Sequence, residues 1–461
     1  MAVRVLIRRL QLWRRRFGPG QGAELSKLLR ELAGNRIRDP RQLIEIHEIL
    51  LFLSAYPPNA EVRSLCEREL RRFGDRVTEA DEFEDADVSG IAGTHVSAVF
   101  GYEIARHLLR RFPGAVSIDW ERFSDVDALS TFLPRVIPLL DEDALVEAGV
   151  PWRDWLEAAA GGAKHSLSWL LDAIDEQEPT ARLRDDRYLT LRIPLRWNLG
   201  KSSASRTRMR LAGGRIFYHT DPLLGRKDVD LRAIPSSPPL TVKAVPRKLA
   251  EEIIALARET SAQRFRELHG FNYGSSESMV EVDAGRGVRL FVWGLLPDHR
   301  LPLRTYHAAT IWKNGVPIGY FEGLSLYERM EAGFNLYYTF RDGESAWLYQ
   351  QLLKTFHLLH GVTVFTVDPY QLGHGNEEAI ESGAYWFYRK LGFQSEDAAV
   401  EKIAVREEKR VASRADYRSS ADVLRELAES PAIFAFDPAK IAEWRGFQWR
   451  RVALNSVRSR D

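Results

Sequence analysis

The stretch ESGAYWFYRKLGF, residues 381–393, decides how the C-terminal half of this chain is read. It reads as a helix that stops at Leu391-Gly392-Phe393. Before it stands VTVFTV (362–367), β-branched and apolar on both faces, as a central strand requires. Before that, ESAWLYQQLLKTFHLLHG (344–361) carries Leu348, Leu352, Phe356 and Leu359 as one apolar helical stripe. Further out, GFNLYYTF (333–340) and GVRLFVWGLL (287–296) read as strands. Between them, HAATIWKNGVPIGYFEGLSL (307–326) reads as two strands around Asn314-Gly315, a dipeptide suited to the positive φ angles of a tight hairpin. Pro317 lacks a ladder donor, so that strand end is expected to turn its N–H side outward. A helix opens the series at Pro246 and closes at Gly270, with Leu249, Ile253, Ile254 and Leu256 on its buried face. The order predicts an α+β fold, a mixed and mainly antiparallel sheet layered with helices, over residues 246–400.

The whole chain, 461 residues with 45% hydrophobic and 28% charged side chains, is long enough for two or three domains. Its 65 basic and 64 acidic residues leave a net charge of +1, so no global field points to nucleic acid or membrane. One cysteine, Cys66, excludes an internal disulfide framework and a thiolate metal cage, and reads as a half-buried helix residue. No apolar run is long enough to span a bilayer, and a cytoplasmic location is expected.

Residues 1–24 form a basic arm with Arg4, Arg8, Arg9, Arg14, Arg15 and Arg16 before the first acid, Glu24. An interfacial helix, a binding arm and a disordered start are alternatives; disorder or docking on the protein's own body is preferred. Residues 25–175 read as an almost wholly helical domain, with an Asp-Pro start at 39–40, stops at Pro57-Pro58 and Gly74, and an acidic linker at 78–87. His95 and His107 are placed on its helices as packing or capping residues. Residues 176–245 form a strand- and loop-rich connection. In it DRYLTLRIPLRW (186–197) alternates like a strand, and Lys201, Arg206, Arg208, Arg210 and Arg215 suit a solvated hairpin or a grip on phosphates of a cofactor or tRNA. Residues 401–461 are expected to pack back on the body.

The segment order, the loop Arg341-Asp342-Gly343-Glu344-Ser345-Ala346 and the positions Glu381, Ala384, Tyr388, Gly392 and Phe393 together resemble the GNAT N-acyltransferase superfamily over the C-terminal third. The loop is a shortened form of Arg/Gln-x-x-Gly-x-Gly/Ala with two added acids. The closing motif, Asn-x-x-Ala-x-x-x-Tyr-x-x-x-Gly-Phe, has Glu381 in place of its Asn. The resemblance implies an acyl-CoA or acyl carrier protein donor and an amine acceptor, without a metal. It also implies that Arg341, Gly343, Ser345 and Ala346 meet the pyrophosphate, with Tyr338 and Asn376 beside the donor. By the same resemblance Tyr388 protonates the leaving thiolate and a backbone N–H of residues 335–340 meets the oxyanion.

Transfer to an amine needs a base, and Glu322 is the best carboxylate by position. Glu328 and Glu378 stand behind it, with His307 and His374 as further candidates. Two rival readings keep the fold: an inactive binding or scaffold module, and an aminoacyl-tRNA-dependent Fem-like transferase.

Overall fold

Asn314 and Gly315, at φ 51° and 79°, turn strand β7 (Thr305–Lys313) into β8 (Val316–Leu326) at the centre of a nine-stranded sheet. The computed structural model describes residues 3–80, 90–137, 147–414, 416–445 and 447. Most of the acidic linker, residues 138–146 of the helical domain, residues 1–2 of the basic arm and the end of the C-terminal extension lie outside these. Twelve strands are described: β1 (His95–Val99), β2 (Val116–Ile118), β3 (Pro194–Asn198), β4 (Thr241–Ala244), β5 (Val280–Gly285), β6 (Val288–Trp293), β7, β8, β9 (Arg329–Leu336), β10 (Val364–Val367), β11 (Gln394–Ser395) and β12 (Ala432–Ala435). The large sheet runs β11-β12-β10-β9-β8-β7-β6-β5-β4. Every neighbouring pair in it is antiparallel except β9 and β10.

A parallel pair needs a crossover, and the central helix Ser345–His360 supplies it. Gly361 ends that helix in the left-handed region at φ 66°, its N–H on His357 O at 3.0 Å. The strand expected at 333–340 instead begins at Arg329 and ends at Leu336, and Tyr338–Phe340 is a 3-10 turn. Pairing decides this. Arg329 hides its charge against Glu396 at 2.8 Å and enters the sheet, whereas the β-prone Tyr338-Thr339-Phe340 has no partner strand and must turn into the helix. Pro317 lies beside a register shift and before β8 meets β9 at Gly319, so the missing donor breaks no β8–β9 bond.

The segment 381–393 is two helices, not one. Helix Glu377–Ser382 is closed by Gly383 at φ 66°, helix Ala384–Lys390 follows, and Gly392 at φ 101° swings Phe393 into the core. A boundary at residue 400 cuts helix Ala398–Ser413 and omits β12, whose buried residues lie between β10 and β11.

The N-terminal helices α1 (Val3–Trp13), α2 (Gln21–Ala33), α3 (Pro40–Ala55), α4 (Ala60–Arg71) and α5 (Phe73–Thr78) share one core with this sheet: Leu10, Leu29, Leu50 and Phe52 pack in the cluster that holds Ile311, Phe321 and Leu352. Asn314 Nδ2 ties the sheet to Ala55 O at 2.8 Å. A second core belongs to β1–β3 and their helices. A wholly helical 25–175 is therefore corrected: β1 and β2 pair on either side of β3, so His95 stands on a strand, while His107 stands on helix α6 (Tyr102–Arg111). Within 186–197 only residues 194–197 are strand, the start of β3. Helix Ala181–Leu191 precedes it because the Thr180 side chain caps the Leu183 N–H, and burial of Tyr188 and Leu191 fits helical spacing equally well. The basic cluster forms no hairpin, and it is solvated only in part: Lys201 and Arg215 are exposed, while Arg206 is buried. Arg206 pairs with Glu48 at 3.0 Å, and Arg208 donates to Lys201 O and Arg71 O, both at 2.6 Å.

Candidate active site

Pairing between β9 and β10 stops at Glu331 and Thr366, while β9 runs on to Leu336 against β8. β10 ends at Val367, where Asp368-Pro369 starts a short helix capped by the Asp368 side chain. Residues 332–336 thus leave one strand edge unpaired by β10, and the gap opens into a cavity of about 260 Å³. Phe334, Asn335, Arg341, Ser345 and Tyr388 are among its walls. Across Asn335, Leu336 and Arg341 it adjoins a second cavity of about 610 Å³.

The sequence candidates separate into two groups. Tyr388, Arg341, Ser345 and Asn376 meet on the smaller cavity, and Tyr338 lines the larger. Tyr388 is 3% exposed and packs edge-on to Tyr349 at 5.6 Å and Phe393 at 5.7 Å. Burial pushes its phenol above the ordinary tyrosine value. Its hydroxyl finds no hydrogen-bond partner among the described residues. Asn376 spends its side chain on a helix cap, accepting from the Ala379 N–H at 3.2 Å and donating to Tyr370 O at 3.1 Å.

Gly343 and Ala346 are not on either cavity. The Gly343 N–H donates to Phe340 O at 2.9 Å, so it is not offered to a phosphate, and a Cβ there would stand 2.6 Å from the Tyr56 hydroxyl. Ala346 is buried against the core. Glu322 also lies off both cavities: it accepts a hydrogen bond from the Tyr306 hydroxyl across the β7–β8 pair. Burial pushes the Glu322 carboxyl above the usual glutamate range, against the effect of that hydrogen bond. His307 bonds Ser325 Oγ at 2.9 Å and faces His360, and burial with that neighbour pulls it down to about 3. Glu328 accepts from Trp444 Nε1 at 3.2 Å, and His374 is exposed.

The two acids of the loop do not face a ligand. Asp342 is held by Arg14 at 2.9 Å and Arg15 at 2.5 Å, which neutralise it from the turn after helix α1. Glu344 points inward to Lys313 at 3.1 Å, both fully buried, and to the partly exposed Arg286, with the Leu224 N–H on it at 3.2 Å. Burial acts to raise the Glu344 carboxyl, but the two cations outweigh it and hold it below its usual range. Around the cleft the charge is positive instead: Arg341 and Arg266 both reach Glu378, at 2.6 and 3.3 Å. Arg264 and Arg266, absent from the sequence candidates, come from the turn after helix Arg247–Ala262. Only their convergence with β9 marks them, since SAQRFRELHG reads as an ordinary helix end.

Among the described residues no group of three or more His, Cys, Asp or Glu side chains is placed to hold a metal ion, and no helix is long and apolar enough to cross a membrane. Compared with known family models, curated proteins and solved structures, the chain finds no match.

Proposed function

We propose that this chain is an N-acyltransferase that moves an acyl group from a thioester, acyl-CoA or an acylated carrier protein, to an amine in the cytoplasm. The observation that carries the reading is the parting of β9 from β10 beside Tyr388 and the start of the central helix. Unpaired backbone groups along 332–336 suit the amides of a pantetheine arm, which pair with a strand edge as another strand does. Arg341 and the first N–H groups of the central helix suit its phosphates. The resemblance to the GNAT superfamily supports the same reading, since the antiparallel strands, central helix and parallel β9–β10 pair come in that order.

In the proposed step the amine nitrogen attacks the thioester carbonyl carbon; the C–N bond forms and the C–S bond breaks. The amine releases a proton and the sulfur leaves as a thiol. Tyr388, kept protonated by burial, donates a hydrogen bond to the departing sulfur.

A second reading, a binding or scaffold module on the same fold, is favoured by two features: Glu322 is off the cleft, and the Gly343 N–H is consumed in a turn. Thermal unfolding with and without acetyl-CoA separates the two. Ligand at about 100 times its dissociation constant stabilises by about 2.7 kcal/mol, and amine-dependent release of free thiol is expected with it. No shift with any acyl-CoA and no thiol release leaves the scaffold reading.

A further inference from the structure

The larger cavity has five arginines in its walls, Arg41, Arg206, Arg264, Arg266 and Arg341, against Glu45 and Glu378. Most of this charge is engaged or in water. Arg206 is on Glu48 at 3.0 Å, Arg266 and Arg341 share Glu378, and Arg41 is exposed.

Arg264 differs from all four. Its guanidinium lies over the Tyr337 ring, 3.6 Å from the centroid, and Nη1 donates to Thr260 O at 2.9 Å. No carboxylate pairs with it among the described residues. Burial pulls it down to about 10, so it stays charged at neutral pH. Tyr337 is itself 7% exposed and anchored to β8 through its N–H on Ile318 O at 3.0 Å, so the surface under the guanidinium is fixed. A half-buried cation costs free energy unless something pairs with it, and a guanidinium already oriented by a ring and a carbonyl loses little entropy on accepting that partner.

We infer that the larger cavity is the acceptor chamber, and that the acceptor is an amine carrying a carboxylate, which the Arg264 fork holds while the amine faces the β9–β10 gap. The inference rests on the acyl-transfer reading for calling the occupant an acceptor. One unpaired guanidinium matches one carboxylate; a phosphate dianion calls for a second, and the neighbouring arginines are engaged. The rim adds an apolar preference. Phe265 is 51% exposed, held at φ 53° by a turn in which the Arg266 N–H bonds Ser261 O at 3.0 Å, and Tyr338 stands exposed on the same cavity. A bulky non-glycine residue in the left-handed region is strained, and here the strain presents an aromatic face to the cavity.

The test uses the full chain without any thioester. Melting temperature is followed against L-phenylalanine, L-phenylalaninamide, phenethylamine and O-phosphoethanolamine, each up to about 10 mM. L-Phenylalanine is expected to bind at least about 10-fold more tightly than its amide or the amine. Arg264→Ala should remove that advantage while leaving the amide unchanged, and Arg264→Lys should restore part of it. The same thermal scans without ligand report whether each variant is folded. Equal binding of acid and amide, tighter binding of O-phosphoethanolamine, or no binding of the amino acid to the wild type overturns the inference. An acetyl-CoA scan runs in parallel: a shift with acetyl-CoA alone defeats the acceptor assignment and spares acyl transfer, whereas a shift with L-phenylalanine alone keeps the carboxylate site at Arg264 but overturns its assignment as an acceptor chamber.

Discussion

Replacing Glu344 by Gln removes one charge from a cluster in which Glu344 and Lys313 are both 0% exposed, yet keeps the shape of the side chain. Lys313 would retain the Arg286 carbonyl at 2.7 Å and the faces of Tyr56 and Phe217, at 4.7 and 5.5 Å, but no counter-charge. Burial already pulls Lys313 down to about 8, against the pull of Glu344. At about pH 7 the variant can therefore shed its proton at a cost on the order of 1 kcal/mol. Loss of the ion pair to Arg286, whose side chain is 25% exposed and can rehydrate, brings the expected total to about 2–4 kcal/mol.

The sign with pH follows from Lys313. Its folded-state value is depressed, so the unfolded chain binds more protons and wild-type stability rises from about pH 8 to the ordinary lysine range. In Glu344→Gln that rise starts at lower pH. The deficit should narrow as pH climbs to about 8 and hold steady above it. Guanidinium unfolding followed by fluorescence and circular dichroism at several pH values measures this. A variant as stable as the wild type at about pH 7, or a deficit that widens toward about pH 9, would refute the reasoning.

Tyr388→Phe should lower acyl transfer by at least about 100-fold and change stability by no more than about 1 kcal/mol, because the lost hydroxyl has no partner; steady-state kinetics and thermal melts decide it. Gly343→Ala should cost about 1–3 kcal/mol in the same melts, since the new Cβ meets the Tyr56 hydroxyl at 2.6 Å and Phe340 O at 2.9 Å. For Glu322 the folded-state value is raised, so the native state holds its proton more tightly and stability falls as pH rises through that value. Glu322→Gln should accordingly be as stable as the wild type or more so at about pH 7, keeping an acceptor for Tyr306. If Glu322 is the base, thiol release in that variant drops and loses its acidic pH limb; unchanged kinetics would exclude it.

Local patterning made the elements legible. The Asn314-Gly315 turn, the stripe of the central helix and the doubly apolar run at 362–367 all declare themselves, because hairpin φ angles, helical spacing and burial on two faces each demand particular residue types nearby. Gly392 was legible as the helix stop, but Gly383, at φ 66°, was visible as a residue and not as the break between two helices. The acids Asp342 and Glu344 were legible only as additions to the loop pattern, whereas their charges are met by Arg14, Arg15, Lys313 and Arg286, partners up to 328 residues away.

Short-range chemistry along the chain was thus enough to establish an α+β fold, the central strands of its large sheet and the central helix. The parting of β9 and β10, the loss of Glu322 and Gly343 from the cleft, and the solitary charge of Arg264 belong to tertiary structure alone. Each depends on which groups meet across the sheet, and charge pairing, steric fit and register between distant segments leave no trace in local spacing.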